Sequence, residues 1–121
     1  MKKIKYGIPC SKLKEFIKDV DVPCTSEGEA MAIAAGAWFA GKKPEVYMQN
    51  SGIGNIVDIV TSLYKPYNIP LPHLIISLRK DPAHHKFMYK ISKYLLELLE
   101  YDNYKFIKIK KRNRRTFIKK I

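Results

Sequence analysis

The stretch from Cys24 to Asn55 constrains the fold more than any other part of the chain. It opens with Thr25-Ser26-Glu27-Gly28-Glu29 and continues as an Ala-rich segment that reads as a helix from Glu27 to Ala40. Gly41 follows, with Pro44 close behind, which is the expected pattern for stopping a helix. A short β-prone run, Glu45 to Gln49, then leads into Asn50-Ser51-Gly52-Ile53-Gly54-Asn55 and a further helix from Gly54 to Tyr64. Helix, short strand and glycine-marked entry to the next helix form the repeating unit of a parallel sheet with helical crossovers.

The rest of the chain keeps the same alternation. Lys5 to Ile8 reads as a short strand that turns at Gly7-Ile8-Pro9-Cys10 into a helix from Ser11 to Lys18, with Ser11 as N-cap. Leu13, Phe16 and Ile17 share one face of that helix. Asp21 to Cys24 is a second short strand, and the Glu27–Ala40 helix, poor in charge, is expected to be buried on most sides. Lys65 to Pro70 is a loop. Leu71 to Leu78 is the near-continuous apolar run of a strand covered on both faces, with Pro72 near its start, where a missing donor is tolerated. Phe87 to Glu100 is amphipathic, with Ile91, Tyr94, Leu95, Leu98 and Leu99 on its apolar side, and Tyr104 to Ile109 is a last strand. The expected fold is therefore a three-layer α/β domain, a mainly parallel sheet flanked by helices. Residues 1–104 form its single domain, and 105–121 carry the last strand and a basic C-terminal tail.

With 121 residues, 46% of them hydrophobic, the chain can bury a real core. Its two cysteines, Cys10 and Cys24, form no Cys-x-x-Cys, which argues against a disulfide scaffold or zinc site and suits a reducing cytoplasm. The basic start is broken by Gly7, Pro9, Ser11 and Lys12, so it is not a signal peptide. The longest apolar run, Ala30 to Ala40, is too short to span a bilayer. A soluble, cytoplasmic protein is expected, with no membrane partner. The net charge of +12 is uneven: nine Lys or Arg and no acid lie from Lys105 onward, leaving about +3 on the rest. Such a block can bind polyanions by counterion release, but a solvated terminus is the plainer reading.

Two features carry chemistry. Ser26 and Glu29 fit a capping box, hydroxyl at N-cap and carboxylate at N3. Glu27, at N1, has no capping task. It stands at the edge where strand carboxyl ends gather, and there ligands bind in open α/β sheets. Its bland alternative is an acidic first-turn residue favoured by the helix dipole, and spacing alone leaves both readings open. The segment Asn50 to Asn55 has glycines where a backbone must approach something closely. It is neither a dinucleotide fingerprint, since Val57 stands where the third glycine belongs, nor a P-loop. Gln49, Asn50 and Asn55 offer neutral hydrogen-bonding groups that suit a polar heterocycle or a subunit contact.

The strings Ser26-Glu-Gly-Glu-Ala-Met-Ala-Ile-Ala-Ala-Gly-Ala37, Ala40-Gly41-Lys42-Lys43-Pro44 and Val46-Tyr-Met-Gln-Asn-Ser-Gly-Ile-Gly-Asn55 resemble the pyrimidine-binding (PYR) domain of sulfopyruvate and phosphonopyruvate decarboxylases. Gly7-Ile8-Pro9-Cys10-Ser11-Lys12-Leu13, Tyr67-Asn68-Ile69-Pro70-Leu71 and Leu74-Ile75-Ile76-Ser77 add to the resemblance, which covers about residues 6 to 100. It implies the thiamine-diphosphate-binding fold and decarboxylation of a small anionic 2-oxo acid. Thiamine's own 4′-amino group acts as the base that generates its carbon nucleophile, once a carboxyl group engages N1′ of the pyrimidine ring. Glu27 matches the family's position for that group. Gln49, Asn50, Ser51, Gly52, Gly54 and Asn55 fall to the cofactor-binding wall, with Gln49 and Asn55 shaping the pocket and a subunit interface.

His85 matches a family histidine after a Gln, here replaced by His84, and would serve as a proton donor or polar contact to substrate. Two exposed loop histidines are the plainer reading, and His73, alone in an apolar strand, reads as packed. The chain lacks the Gly-Asp-Gly…Asn segment that holds magnesium and the diphosphate. The resemblance therefore implies a separate diphosphate-binding subunit carrying Mg2+, in a homo- and hetero-oligomer. The loop Arg79 to His84 is short for the family, Tyr89 replaces a Gly, and the family's terminal elements are missing or replaced. Two alternatives remain: a catalytically inactive relative that keeps the fold and binds a partner, and a nucleic-acid contact through the tail. Only Phe106 and Phe117 interleave the basic residues there, which argues against stacking recognition.

Overall fold

The structure, a computed structural model, describes residues 2–8, 20–112 and 115–120. Its frame is a six-stranded sheet in the order β2-β1-β3-β4-β5-β6. The strands are β1 (Lys3–Gly7), β2 (Val22–Pro23), β3 (Lys43–Gln49), β4 (His73–Ser77), β5 (Tyr104–Arg112) and β6 (Arg115–Lys120). The first five are parallel, and only β6 runs antiparallel, against β5. This is the mainly parallel α/β sheet flanked by helices that the alternation and the resemblance predict.

The connections β2 to β3, β3 to β4 and β4 to β5 all advance in one direction across the sheet. Right-handed crossovers then place their helices on one face. One core records the result. Ala30, Met31 and Ala34 of α1 (Glu27–Phe39) join Ile53, Ile56, Val60 and Tyr64, which follow β3, and Leu96 of α3 (Lys86–Leu98). Together they pack against Tyr6, Val46, Met48, Leu74 and Ile76 of the sheet. The connection from β1 to β2 runs the other way, so strand order reverses between β1 and β3. The helix expected from Ser11 to Lys18 lies in that connection, outside the described residues, as does Cys10.

Local chemistry explains the ends of α1. Ser26 Oγ accepts the Glu29 N–H at 3.1 Å. The Glu29 carboxylate does not close the box on Ser26 but reaches one residue further back. It accepts the Thr25 hydroxyl at 2.7 Å and the Thr25 N–H at 3.3 Å, and these bonds hold its pKa below the usual carboxylate range. At the other end Gly41 takes φ +82°, its N–H bonds to Trp38 O at 2.9 Å and the Lys42 N–H bonds to Ala37 O at 3.0 Å, a Schellman stop. Two buried phenols are satisfied by carbonyls: Tyr64 donates to Met31 O and Tyr101 to Pro72 O, each at 2.6 Å. Burial pushes both of their pKa values up.

Three expectations are corrected, and one holds in part: α1 is buried or half-buried round most of its circumference, but Ile33 and Phe39 on its outer arc are 38% and 70% exposed. The Gly/Asn segment is not a loop before a helix at Gly54. A 3-10 helix spans Asn50–Ile56 and runs into α2 (Val57–Ile59) and a π-helical turn, Val60–Tyr64. In α3 the buried positions are Ser92 and Leu96, with Leu99 just beyond its end, while Tyr94 and Leu98 are exposed. The apolar arc of that helix is wider than the contact it makes. Finally, β5 runs past Ile109 to Arg112, and the backbone of the expected tail returns as β6, with Ile107 opposite Lys120 and Arg112 opposite Arg115.

His73 is half-buried, its Nδ1 2.9 Å from Asn103 Oδ1, and Cys24 is a buried free thiol. No helix among the described residues is long and apolar enough to cross a membrane.

Candidate functional site

The reversal of strand order sets the carboxyl ends of β1 and β3 at the switch point of the sheet, where a crevice forms. Two elements bring side chains there: the first turn of α1, which follows β2, and the 3-10 helix that follows β3. Glu27 extends from α1 across that 3-10 helix and is half-buried. Asn55 Nδ2 donates to Glu27 Oε1 at 2.6 Å. Among the described residues no donor reaches Oε2. The carboxylate also sits at the positive end of a 13-residue helix, where negative charge is favoured.

Gly52 explains why the segment is glycine-marked. A β-carbon there would stand 2.5 Å from Glu27 Cγ and 2.8 Å from Cδ, so any side chain would take the space of the glutamate itself. Gly28 is less constrained, since its β-carbon would meet Asn55 O at 3.6 Å, an ordinary contact. Gly54 is exposed and faces Met88 of α3, whose Cε would lie 3.7 Å from a β-carbon. The structure thus assembles Glu27, Gly52 and Asn55 into one unit from residues 28 positions apart in sequence.

Other expected site residues lie elsewhere. Asn50 is fully buried and its amide is used up on backbone. Nδ2 donates to Arg79 O at 2.8 Å and Oδ1 accepts the Arg79 N–H at 3.0 Å, which ties the exit of β3 to the exit of β4. Gln49 ends β3 with its Nε2 buried and without a hydrogen-bond partner. Ser51 is half-buried in the 3-10 helix.

His85 is not an exposed loop residue. It closes a short 3-10 turn, Ala83–His85, is 1% exposed, and has an unpartnered Nδ1. Burial chiefly, then the neighbouring His84 and Arg79 charges, push its pKa below the ordinary value, so the ring is neutral at neutral pH. His84 lies outside with its ring centroid 4.0 Å away.

Sequence reasoning missed Ser77 as a site residue. It faces Gln49 across the β3–β4 ladder and is 1% exposed, with its hydroxyl unpartnered. A lone hydroxyl closing an apolar strand at the ligand-binding edge was the available signal. Beside the His85 turn, Lys80, Lys86 and Lys90 line a hollow together with Phe87 and Tyr89. Among the described residues no group of three His, Cys, Asp or Glu could hold a metal ion.

No family model matches the chain. Curated relatives do. The sulfopyruvate decarboxylase alpha subunit of Methanocaldococcus jannaschii is 46% identical over 82 residues, 62% of this chain and 48% of the relative. The same-named subunit of Methanothermobacter thermautotrophicus is 41% identical over 76 residues, 57% and 46% of the two chains. A phosphonopyruvate decarboxylase of Streptomyces viridochromogenes is 38% identical over 108 residues, 79% of this chain and 27% of the relative. The chain thus spans no more than about half the length of these relatives. Over the residues these alignments cover, the chain is a homologue of sulfopyruvate decarboxylase alpha subunits and phosphonopyruvate decarboxylases.

Proposed function

We propose that this chain is the pyrimidine-binding subunit of a two-chain, thiamine-diphosphate-dependent decarboxylase acting on a small anionic 2-oxo acid of the sulfopyruvate or phosphonopyruvate class. The observation that carries this reading is the Glu27 unit: a carboxylate at a helix mouth, held by Asn55 through one oxygen and resting on a glycine. That unit fits an aminopyrimidine. Oε2 offers a hydrogen-bond acceptor, or a proton, to ring N1′, and the missing side chain at Gly52 leaves room for the glutamate to lie flat.

When bound, the cofactor supplies the electron sink that lets a 2-oxo acid lose carbon dioxide. The chain's own part is to orient the ring and hold a proton at Glu27 Oε2. His85, neutral and buried with a free ring nitrogen, provides a polar contact at the adjacent turn. The lysines around the neighbouring hollow favour an anionic substrate. The diphosphate and its Mg2+ fall to a second, diphosphate-binding subunit, a reading supported by relatives named alpha subunits.

The test mixes the chain with a sulfopyruvate decarboxylase diphosphate-binding subunit, thiamine diphosphate, Mg2+ and sulfopyruvate, and follows carbon dioxide release. Glu27→Gln keeps the shape but not the titrating group, and should lower turnover by a factor of about 10²–10⁴. Undiminished turnover in that variant would reject the assignment.

A further inference from the structure

The hollow beside the His85 turn is built from one stretch of chain. Lys80 comes from the exit of β4, Ala83 from the short turn, and Lys86, Phe87, Tyr89 and Lys90 from the opening of α3. Its volume of about 510 Å³ is that of a small-molecule pocket, not of a single-ion site. Its charge is of one sign. Lys80, Lys86 and Lys90 are exposed, and among the described residues no acid lines the hollow or pairs with any of the three. Lys86 and Lys90 stand where the helix dipole favours acids, whereas Glu97 lies in the last turn and Glu100 just beyond it. The helix is charged against its own dipole, and a bound anion at this end would reverse that cost.

The flanks of the hollow are aromatic. Successive helical residues lie ~100° apart about the axis, so Lys86 and Lys90 fall between Tyr89 and Phe87 within an arc of about 160°. Phe87 is 70% exposed and Tyr89 41% exposed, and Lys80 Nζ lies 5.7 Å from the Tyr89 ring centroid, within cation–π range. A small anionic 2-oxo acid would use the charge, but it has no ring to lay against these side chains.

We propose that this hollow binds a nucleoside polyphosphate, its base against Phe87 and Tyr89 and its phosphates on Lys80, Lys86 and Lys90. Aromatic rings interleaved with cations hold a base by stacking and its phosphates by charge. Lysine meets phosphate as a mobile point charge, so three of them can follow a flexible polyphosphate chain. None of the lining comes from α1 or from the 3-10 helix after β3, which supply the Glu27 unit. The proposal does not rest on the catalytic reading.

The test titrates the full chain with ATP by calorimetry at physiological salt. ATP should bind with a Kd below about 1 mM. Adenosine and tripolyphosphate each keep only one part of the contact, and each should bind about 10-fold more weakly or worse. Lys86→Glu and Lys90→Glu should each weaken ATP binding by about 10-fold or more, and Phe87→Ala by about 5-fold or more. All three side chains are exposed, so the far-ultraviolet spectrum should not change. Lys108→Glu, an exposed position of β5 outside the hollow, should leave ATP affinity within about 2-fold, as should Glu27→Gln. A single-stranded oligonucleotide offers the same base and phosphate from another source, and at equal nucleotide concentration it should not displace ATP. No ATP binding, tripolyphosphate binding as tight as that of ATP, or displacement by the oligonucleotide would each overturn the proposal. So would a loss on Lys108→Glu equal to that on Lys86→Glu, or a loss on Glu27→Gln, which would put the ligand at the Glu27 unit.

Discussion

Gly52→Ala isolates the steric logic of the Glu27 unit. The position does not lie in the left-handed region, so alanine suits its backbone and on that ground would stabilise the fold by about 0.4–1 kcal/mol. The new methyl, however, would fall 2.5 Å from Glu27 Cγ, so the glutamate must leave. An off-rotamer or displaced side chain costs about 0.5–1.5 kcal/mol. Losing the Asn55 bond costs about 1.5 kcal/mol, the low end for a charged acceptor because the pair is open to solvent. The net expectation is about 1–2 kcal/mol of destabilisation, a fall of roughly 1 M in the urea midpoint. In a Glu27→Ala background both penalties vanish and Gly52→Ala should become neutral or stabilising. The double-mutant cycle should therefore return a coupling of about 2 kcal/mol. Additivity within about 0.5 kcal/mol would show that the glutamate does not occupy the space above Gly52.

Asn50→Ala should cost about 2–3 kcal/mol, seen as a lowered melting temperature, because it orphans both the N–H and C=O of Arg79. Tyr64 and Tyr101 keep their protons when folded beyond the ordinary value of 10.0. Unfolded phenols release theirs first, so this stability is complete below about pH 10 and is lost above it, by about 1.4 kcal/mol per pH unit per tyrosine. Denaturation between pH 9 and 12 should show that alkaline limb, and Tyr64→Phe should reduce its slope by about 1.4 kcal/mol per pH unit. His85 has the opposite dependence. Its folded pKa is lowered, so the unfolded state binds the proton first and stability falls as pH drops below about 6.5. Imidazole shifts in an NMR titration should place its midpoint below that value.

The sequence disclosed whatever is set by short-range rules. Ser26, Gly41 and Pro44 bracket α1 because caps and stops depend on a few neighbouring residues. The apolar run from Leu71 marks β4 because burial on both faces requires it. Glu27 stood out by its position at a helix mouth. What could not be read was which partner each polar group takes. Asn50 and Asn55 look alike in one string, yet one binds backbone 29 positions away and the other a carboxylate 28 positions back. Ser77 gained interest only when the β3–β4 register set it beside Gln49. The exposed Tyr94 and Leu98 show the same limit: periodicity defines an apolar arc, and the neighbouring elements decide how much of it is covered.

The amide of Asn55 makes the two oxygens of Glu27 inequivalent. Because Oε1 already accepts an N–H, adding hydrogen to the carboxyl group there would set two donors against each other. With the Asn55 amide in that orientation the acid form carries its hydrogen on Oε2, so on the proposed reading an asparagine selects which oxygen of the glutamate serves the ring.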